Sequence, residues 1–179
     1  DHVDVYGIGY CIKKANKIPC ERKQGYSQVM FEQYMMTNTR LLVQYLKMLL
    51  KYADSYYYKR KLPGEKMLVF CGTVDMCKYM AVKFKKAYPD LTVGTYTQED
   101  EYEVLFKNDI TISTLQSAGT GIDLQGLITV LQTISVGSYQ ANVQAMGRLR
   151  KKEGRDMYYV YFYCKNLPKH YDLNRQREE

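Results

Sequence analysis

The 179-residue sequence holds no G-x-x-x-x-G-K-[ST] phosphate loop, no C-x-x-C pair, and no apolar run near the roughly 20 residues that cross a bilayer. The first absence excludes a triphosphate cradle of the chain's own. Lys66, after "PGE", lacks the second glycine and the following hydroxyl. The second absence matters because the five cysteines, at 11, 20, 71, 77 and 164, are an odd number, and the two histidines sit near opposite ends. Neither a zinc site nor a disulfide framework is expected, and an intracellular, reducing compartment, cytoplasm or nucleus, is. The third absence, together with the lack of a charged-then-apolar leader, predicts a soluble protein with no membrane partner. The chain also begins without Met, at "DHVDVYGIGY", already in strand-like alternation, which predicts a piece of a longer chain.

What is present fits one globular domain: 46% of the residues are hydrophobic, enough for a buried core. Lys and Arg number 26 against 19 Asp and Glu, a formal charge of +7 that makes a polyanion a plausible partner. The Lys- and Tyr-rich pieces "KKANK", "ERK" and "YYYKRK" read first as a solvated basic face and, as the alternative, as phosphate contacts and base stacking.

Residues 3 to 12 alternate as a strand, and a Lys-rich loop follows. Phe31, Tyr34, Met35, Leu42, Tyr45, Leu46 and Leu49 then recur at helical spacing, with Thr37 or Asn38 as an internal cap or break. Pro63-Gly64 stops this pattern. Beyond it, strands are predicted over 66–72, 91–97, 109–115, 127–136 and 157–164, and helices over 74–88, 98–107 and 138–151. Such alternation argues for an open, mostly parallel α/β sheet. The expected domain runs from 1 to 165, with 13–64 a loop plus long helix leading into it and 166–179 a polar tail.

In such sheets ligands gather at the carboxyl ends of the strands. Those ends carry Gly72 and Thr73, then Thr97, then the loop "STLQSAGTGIDLQGL", which supplies hydroxyls, glycines and one acid. Glycines let a ligand approach the backbone, and hydroxyls and free N–H groups donate to phosphate oxygens. "GTG" taken alone also suits a plain tight turn. "QAMGRLRK", residues 144 to 151, places two arginines and a lysine at a predicted helix end, where cations complement the dipole without any ligand. The acids of "EDEYE" (99–103) read as helix-start residues rather than as a metal-holding box.

Taken in order, "KMLVFCGT", "STLQSAGTGID" and "QAMGRLR" resemble motifs IV, V and VI of the second RecA-like domain of superfamily 2 helicases and translocases. The likeness covers about residues 65 to 165. The motif V spacing is more similar to phage, large-virus and Rad3- or XPB-type DNA helicases than to DEAD-box RNA helicases.

The resemblance implies a RecA-like fold with helices on both faces of the sheet. It also implies ATP and Mg2+ held mainly by an N-terminal RecA-like domain of the same polypeptide that this chain lacks, and DNA, or else RNA, as a partner. By this reading Arg148 and Arg150 reach the γ-phosphate across the cleft, Gln144 positions near it, Gly147 and Gly121 allow close approach, and Asp123 contacts the ribose or orients a finger. Thr73, Thr97, Thr114 and Thr120 would hold the phosphates of one strand. Family motif VI often reads Q-x-x-G-R-x-x-R, whereas here an arginine comes one position early, so Arg148, Arg150 and Lys151 all stand as finger candidates.

Two other readings follow from the same residues. One is a non-catalytic RecA-like module that binds nucleic acid or protein. The other is a nucleotide-sugar or methyl-transfer enzyme, which predicts a Gly-rich loop after the first strand where "KKANK" stands.

Overall fold

The computed structural model describes residues 3–22, 25–98, 100–115, 124–135 and 154–178. Among these, six strands form one parallel sheet. In chain order they are β1 (Val3–Tyr10), β4 (Lys66–Cys71), β5 (Val93–Tyr96), β6 (Ile110–Thr114), β7 (Leu127–Gln132) and β8 (Met157–Cys164), and in space they run β1-β8-β7-β4-β6-β5. A separate antiparallel pair joins β2 (Glu21–Arg22) to β3 (Gly25–Tyr26).

The near-continuous apolar runs explain the centre of the sheet. Every residue of β7 and all but Lys66 of β4 are buried, as expected of parallel strands covered on both faces. β5 and β6 lie to one side of β4, β7 and β8 to the other. The direction of connection therefore reverses across β4, and a crevice opens at the strands' carboxyl ends there.

The long helical pattern is two helices, α1 (Gln28–Thr37) and α2 (Thr39–Ala53), divided at Asn38. Its backbone N–H closes α1 on the Met35 carbonyl (3.0 Å), while its side-chain oxygen accepts from the Leu41 N–H (3.1 Å) and so caps α2. Leu42, Tyr45, Leu46 and Leu49 are buried at spacings of three and four, each large side chain stabilising the fold by about 1.5–3 kcal/mol. α3 (Val74–Ala87) buries Met76, Cys77, Met80 and Phe84 and ends in Lys85 and Lys86, which suit the negative end of its dipole.

Three expectations need correction. The strands stop earlier than the apolar runs do: β1 at Tyr10 instead of 12, β7 at Gln132 instead of 136. The helix expected over 98–107 is one turn, α4 (Val104–Lys107), because the Thr97 N–H and hydroxyl both donate to Asp100 Oδ2 (2.8 and 3.0 Å) and hold a turn in its place. Residues 166–179, read as a polar tail, include a helix, α5 (Pro168–Glu178). Its His170 is buried against the edge of Tyr26 (ring centroids 4.6 Å) and accepts at Nδ1 from the Cys164 N–H (2.9 Å). One histidine in a polar segment gives no apolar period to read. The helix expected over 138–151 lies outside the described residues.

Candidate functional site

β4 runs out of hydrogen-bonded strand at Cys71, and the next two residues turn into α3. Thr73 caps that helix, its hydroxyl accepting from the Met76 N–H (3.2 Å). A buried carboxylate faces the turn: Glu32 of α1. Its Oε2 accepts from the Gly72 N–H (2.6 Å) and from Gln28 Nε2 (2.7 Å), and its Oε1 from the Thr73 N–H (2.9 Å) and hydroxyl (2.8 Å). Gln28 is oriented in turn by the Tyr26 hydroxyl (2.7 Å) and the Ser135 N–H (3.3 Å), both donating to its Oε1. Burial pushes the Glu32 carboxyl above the ordinary carboxylate range, against the opposing pull of its four donors. A side chain at Gly72 would put its Cβ 2.8 Å from Glu32 Oε2 and into Gln28, so the close approach requires glycine.

This network forms one wall of a cleft of about 710 Å³ over the carboxyl ends of β4, β5, β6 and β7. Gln28, Lys78, Gln98 and Thr114 give it polar groups, and Val29, Val74, Leu115 and Ile134 apolar ones. Val29 and Val74 are 45% and 42% exposed, so the cleft keeps apolar surface open to whatever enters it. Lys78 has no carboxylate partner among the described residues. A cation, an amide and a hydroxyl beside an apolar wall suit an elongated ligand with phosphate on one side and flat apolar groups on the other.

Of the residues expected from the sequence, Thr97 and Thr114 line this cleft, and Thr73 lies beside it. Thr73 gives its only hydroxyl proton to Glu32, and Thr97 gives its own to Asp100. Thr114 ends β6 half-buried. Thr120, Gly121, Asp123, Gln144, Gly147, Arg148, Arg150 and Lys151 lie outside the described residues.

Glu32, Gln28, Lys78 and Gln98 are the site residues that sequence reading passed over. The four-residue spacing of Gln28 and Glu32 on one helix face was a legible signal; the target of Glu32, 40 residues downstream, was not. "YYYKRK" proves to be mostly structural. Tyr57 is fully buried, its hydroxyl donating to the Glu65 carbonyl (2.8 Å). The Arg60 guanidinium donates to the Asp156 carbonyl (2.8 Å) and sits 4.3 Å over the Tyr158 ring, at the amino ends of the strands. Among the described residues no three His, Cys, Asp or Glu side chains converge as metal ligands, and no helix is long and apolar enough to cross a membrane.

The fold is RecA-like and is similar to that of solved helicase and ATPase domains. The C-terminal part of the Fun30 ATPase domain superposes with a TM-score of 0.55 at 12% identity, covering 85% of this chain and 55% of that one. The C-terminal domain of the DEAD-box protein Dbp5 gives 0.54 at 13%, covering 72% and 73%. The Mycobacterium smegmatis helicase Lhr, bound to ssDNA and AMP-PNP, gives 0.56 at 11%, covering 89% of this chain and 19% of Lhr. The chain thus spans about half of the Fun30 fragment and about a fifth of Lhr. No family model matches the sequence, and no curated protein does.

Proposed function

We propose that this chain is the C-terminal half of an ATP-dependent nucleic-acid motor, in which the cleft over β4, β5 and β6 grips the phosphates of one strand. The observation that carries the reading is the convergence of Lys78, Gln98 and Thr114 at the carboxyl ends of adjacent strands, on a fold whose relatives include structures bound to ssDNA and to an RNA duplex. DNA is the favoured strand, on the motif V spacing.

Contacts of this kind go to the backbone, so they position without reading sequence. Thr114 and Gln98 donate, Lys78 adds a charge, and Val29 and Val74 offer apolar surface to sugars or bases. Thr73 and Gly72 act one step back: their donors are held by Glu32, which fixes the turn from β4 to α3 and hence the placement of Val74 and Lys78.

ATP would lie between this domain and an N-terminal RecA-like domain. Mg2+, like most of the ATP, would be held mainly by that other domain in this reading. This chain's part is electrostatic. Arg148 and Arg150 reach the γ-phosphate, where a fixed guanidinium stabilises the charge of the transferring phosphoryl group, with Gln144, Gly147, Gly121 and Asp123 beside them. Closure of the two domains would then couple phosphate state to strand grip.

In the full-length protein, Arg148→Ala and Arg150→Ala should each abolish nucleic-acid-stimulated ATP hydrolysis while leaving strand binding nearly intact. Normal turnover in both variants overturns the finger assignment.

A further inference from the structure

A second cavity opens at the far end of α1, and it is basic. The chain leaves β1 and turns through Lys13 and Lys14 into a 3₁₀ turn, Ala15–Lys17, while the junction of α1 and α2 folds across from it. Between them lies a space of about 290 Å³ lined by Lys13, Lys14 and Arg40, with Tyr34 and Gln44 adding neutral polar groups above the buried Ile12. Three cations share this small space and no carboxylate lines it, nor does any of the three form an ion pair among the described residues. Like charges so placed repel one another unless an anion sits between them.

The frame behind the cations is fixed. The Ile12 N–H donates to Asn166 Oδ1 (3.1 Å) and Asn166 Nδ2 donates to the Ile12 carbonyl (2.6 Å), so the loop's entry is held on both backbone groups. The Lys17 N–H closes on the Lys14 carbonyl (3.0 Å). Lys14 itself stands in the left-handed region, at φ 59° and ψ 41°, alone among the described non-glycine residues. Glycine would take this conformation without the cost that the lysine Cβ brings.

We propose that this cavity binds a phosphate group. Two ammonium groups and a guanidinium present donors only, a set matched by a tetrahedral oxyanion carrying more than one charge and several acceptor oxygens. The cavity is near the lower size limit of small-ligand sites, which suits one phosphate or a diphosphate. Two sources share that chemistry: a free phosphate compound, or a phosphodiester of a strand that also lies in the cleft. α1 runs from Gln28, in the cleft, to the junction beside the cavity, and its ten residues span roughly 15 Å. The three cations make the cavity anion-binding whether or not a strand occupies the cleft.

The test titrates the chain with pyrophosphate and, separately, with a single-stranded oligonucleotide, following backbone amide resonances. The variants are Lys13→Gln with Arg40→Gln, which changes only exposed side chains, and Lys14→Gly, which removes a cation while relaxing the backbone. Lys47→Gln, on α2 outside the cavity, is the control. Saturable pyrophosphate shifts confined to residues 12–18 and 39–44, weakened roughly tenfold or more in both cavity variants and unchanged in the control, are expected. Absence of such shifts in the wild type, or equal affinity in the cavity variants, overturns the proposal.

The oligonucleotide arm assigns the source. If the ligand is a strand phosphodiester, the double variant lowers the salt slope of oligonucleotide binding by about 0.7 for each phosphate it no longer neutralises. If pyrophosphate binding disappears and the slope is unchanged, the site stands as one for a free phosphate compound. Lys78→Gln, which alters the cleft, should leave pyrophosphate shifts untouched, so failure of the cleft reading is separately visible.

Discussion

Glu32 and Thr73 make two hydrogen bonds to one another, from the Thr73 N–H (2.9 Å) and hydroxyl (2.8 Å) to the same carboxylate oxygen, although they are 41 residues apart. The other oxygen takes the Gly72 N–H at 2.6 Å. A buried carboxylate thus satisfies the free donors at the start of α3 and ties α1 to the end of β4. Anything that enters the cleft meets a turn whose donors are already spoken for.

The first prediction tests this tie as a unit. Glu32→Gln puts an amide N–H₂ against donors that need acceptors, and should cost about 1–3 kcal/mol of stability, measured by urea unfolding. Thr73→Val removes the cap and one donor. Because the two act on one network, a double-mutant cycle should show coupling of about 0.5–3 kcal/mol, and additive losses would mean that the two side chains act separately.

A second prediction concerns pH. The Glu32 carboxyl is raised in the folded state from an ordinary value of 4.5, chiefly by burial. In the window from about 4.5 up to the raised value, the folded chain binds more protons here than the unfolded chain does. This group's contribution therefore falls as pH rises through that window, and is fully retained below it. Glu32→Gln cannot titrate, so the difference in unfolding free energy between wild type and variant should shrink as pH climbs from 4.5. A pH-independent difference would assign Glu32 an unshifted carboxyl.

The cleft supplies a third. Lys78→Gln should weaken binding of single-stranded DNA and lower the salt slope by about 0.7, as expected when one phosphate is no longer neutralised. Thr114→Val should weaken binding with little change of slope, because a hydroxyl carries no charge. Lys83→Gln, elsewhere on α3, serves as the control. Unchanged affinity in both cleft variants would empty the cleft of its strand.

The parallel α/β architecture was legible because its signals are local: a run such as "KMLVFC" needs no partner to read as a doubly covered strand, and Asn38 announces a cap. Thr97 and Thr114 were also reachable, since the carboxyl ends of parallel strands fall on one edge whatever the detail. Glu32 was not, because its role depends on a contact across 40 residues that leaves only a four-residue spacing in the sequence. The same holds for Arg60. Its basic neighbours suggest an exposed patch, but its donors go to carbonyls at 128 and 156, positions set by the sheet. Helix α5 was hidden for a different reason, since a polar helix docked through His170 and Asn174 has no apolar stripe.

The last prediction concerns what positions the cleft from the opposite end of the sheet. Gly64 and Gly126 both have φ of +83°, and both precede the strands that flank the switch of direction, β4 and β7. They differ in surroundings. A Cβ at Gly64 meets nothing within 4 Å, whereas one at Gly126 falls 2.6 Å from the Gly64 carbonyl oxygen, a backbone atom that cannot swing away. Gly64→Ala should therefore cost only the left-handed strain, about 1–2 kcal/mol. Gly126→Ala adds the clash and should cost a further 1–3 kcal/mol or so, with urea midpoints as the measurement. The Gly126 carbonyl also accepts from the Lys66 N–H (2.8 Å), next to the register shift between β4 and β7. If the turn yields by displacing β4 against β7, the shift reaches Gly72 and Ile134 just beyond their other ends, so Gly126→Ala should weaken strand binding while Gly64→Ala does not. Equal losses in both variants, in stability and in binding, would free the cleft from the register set by this turn.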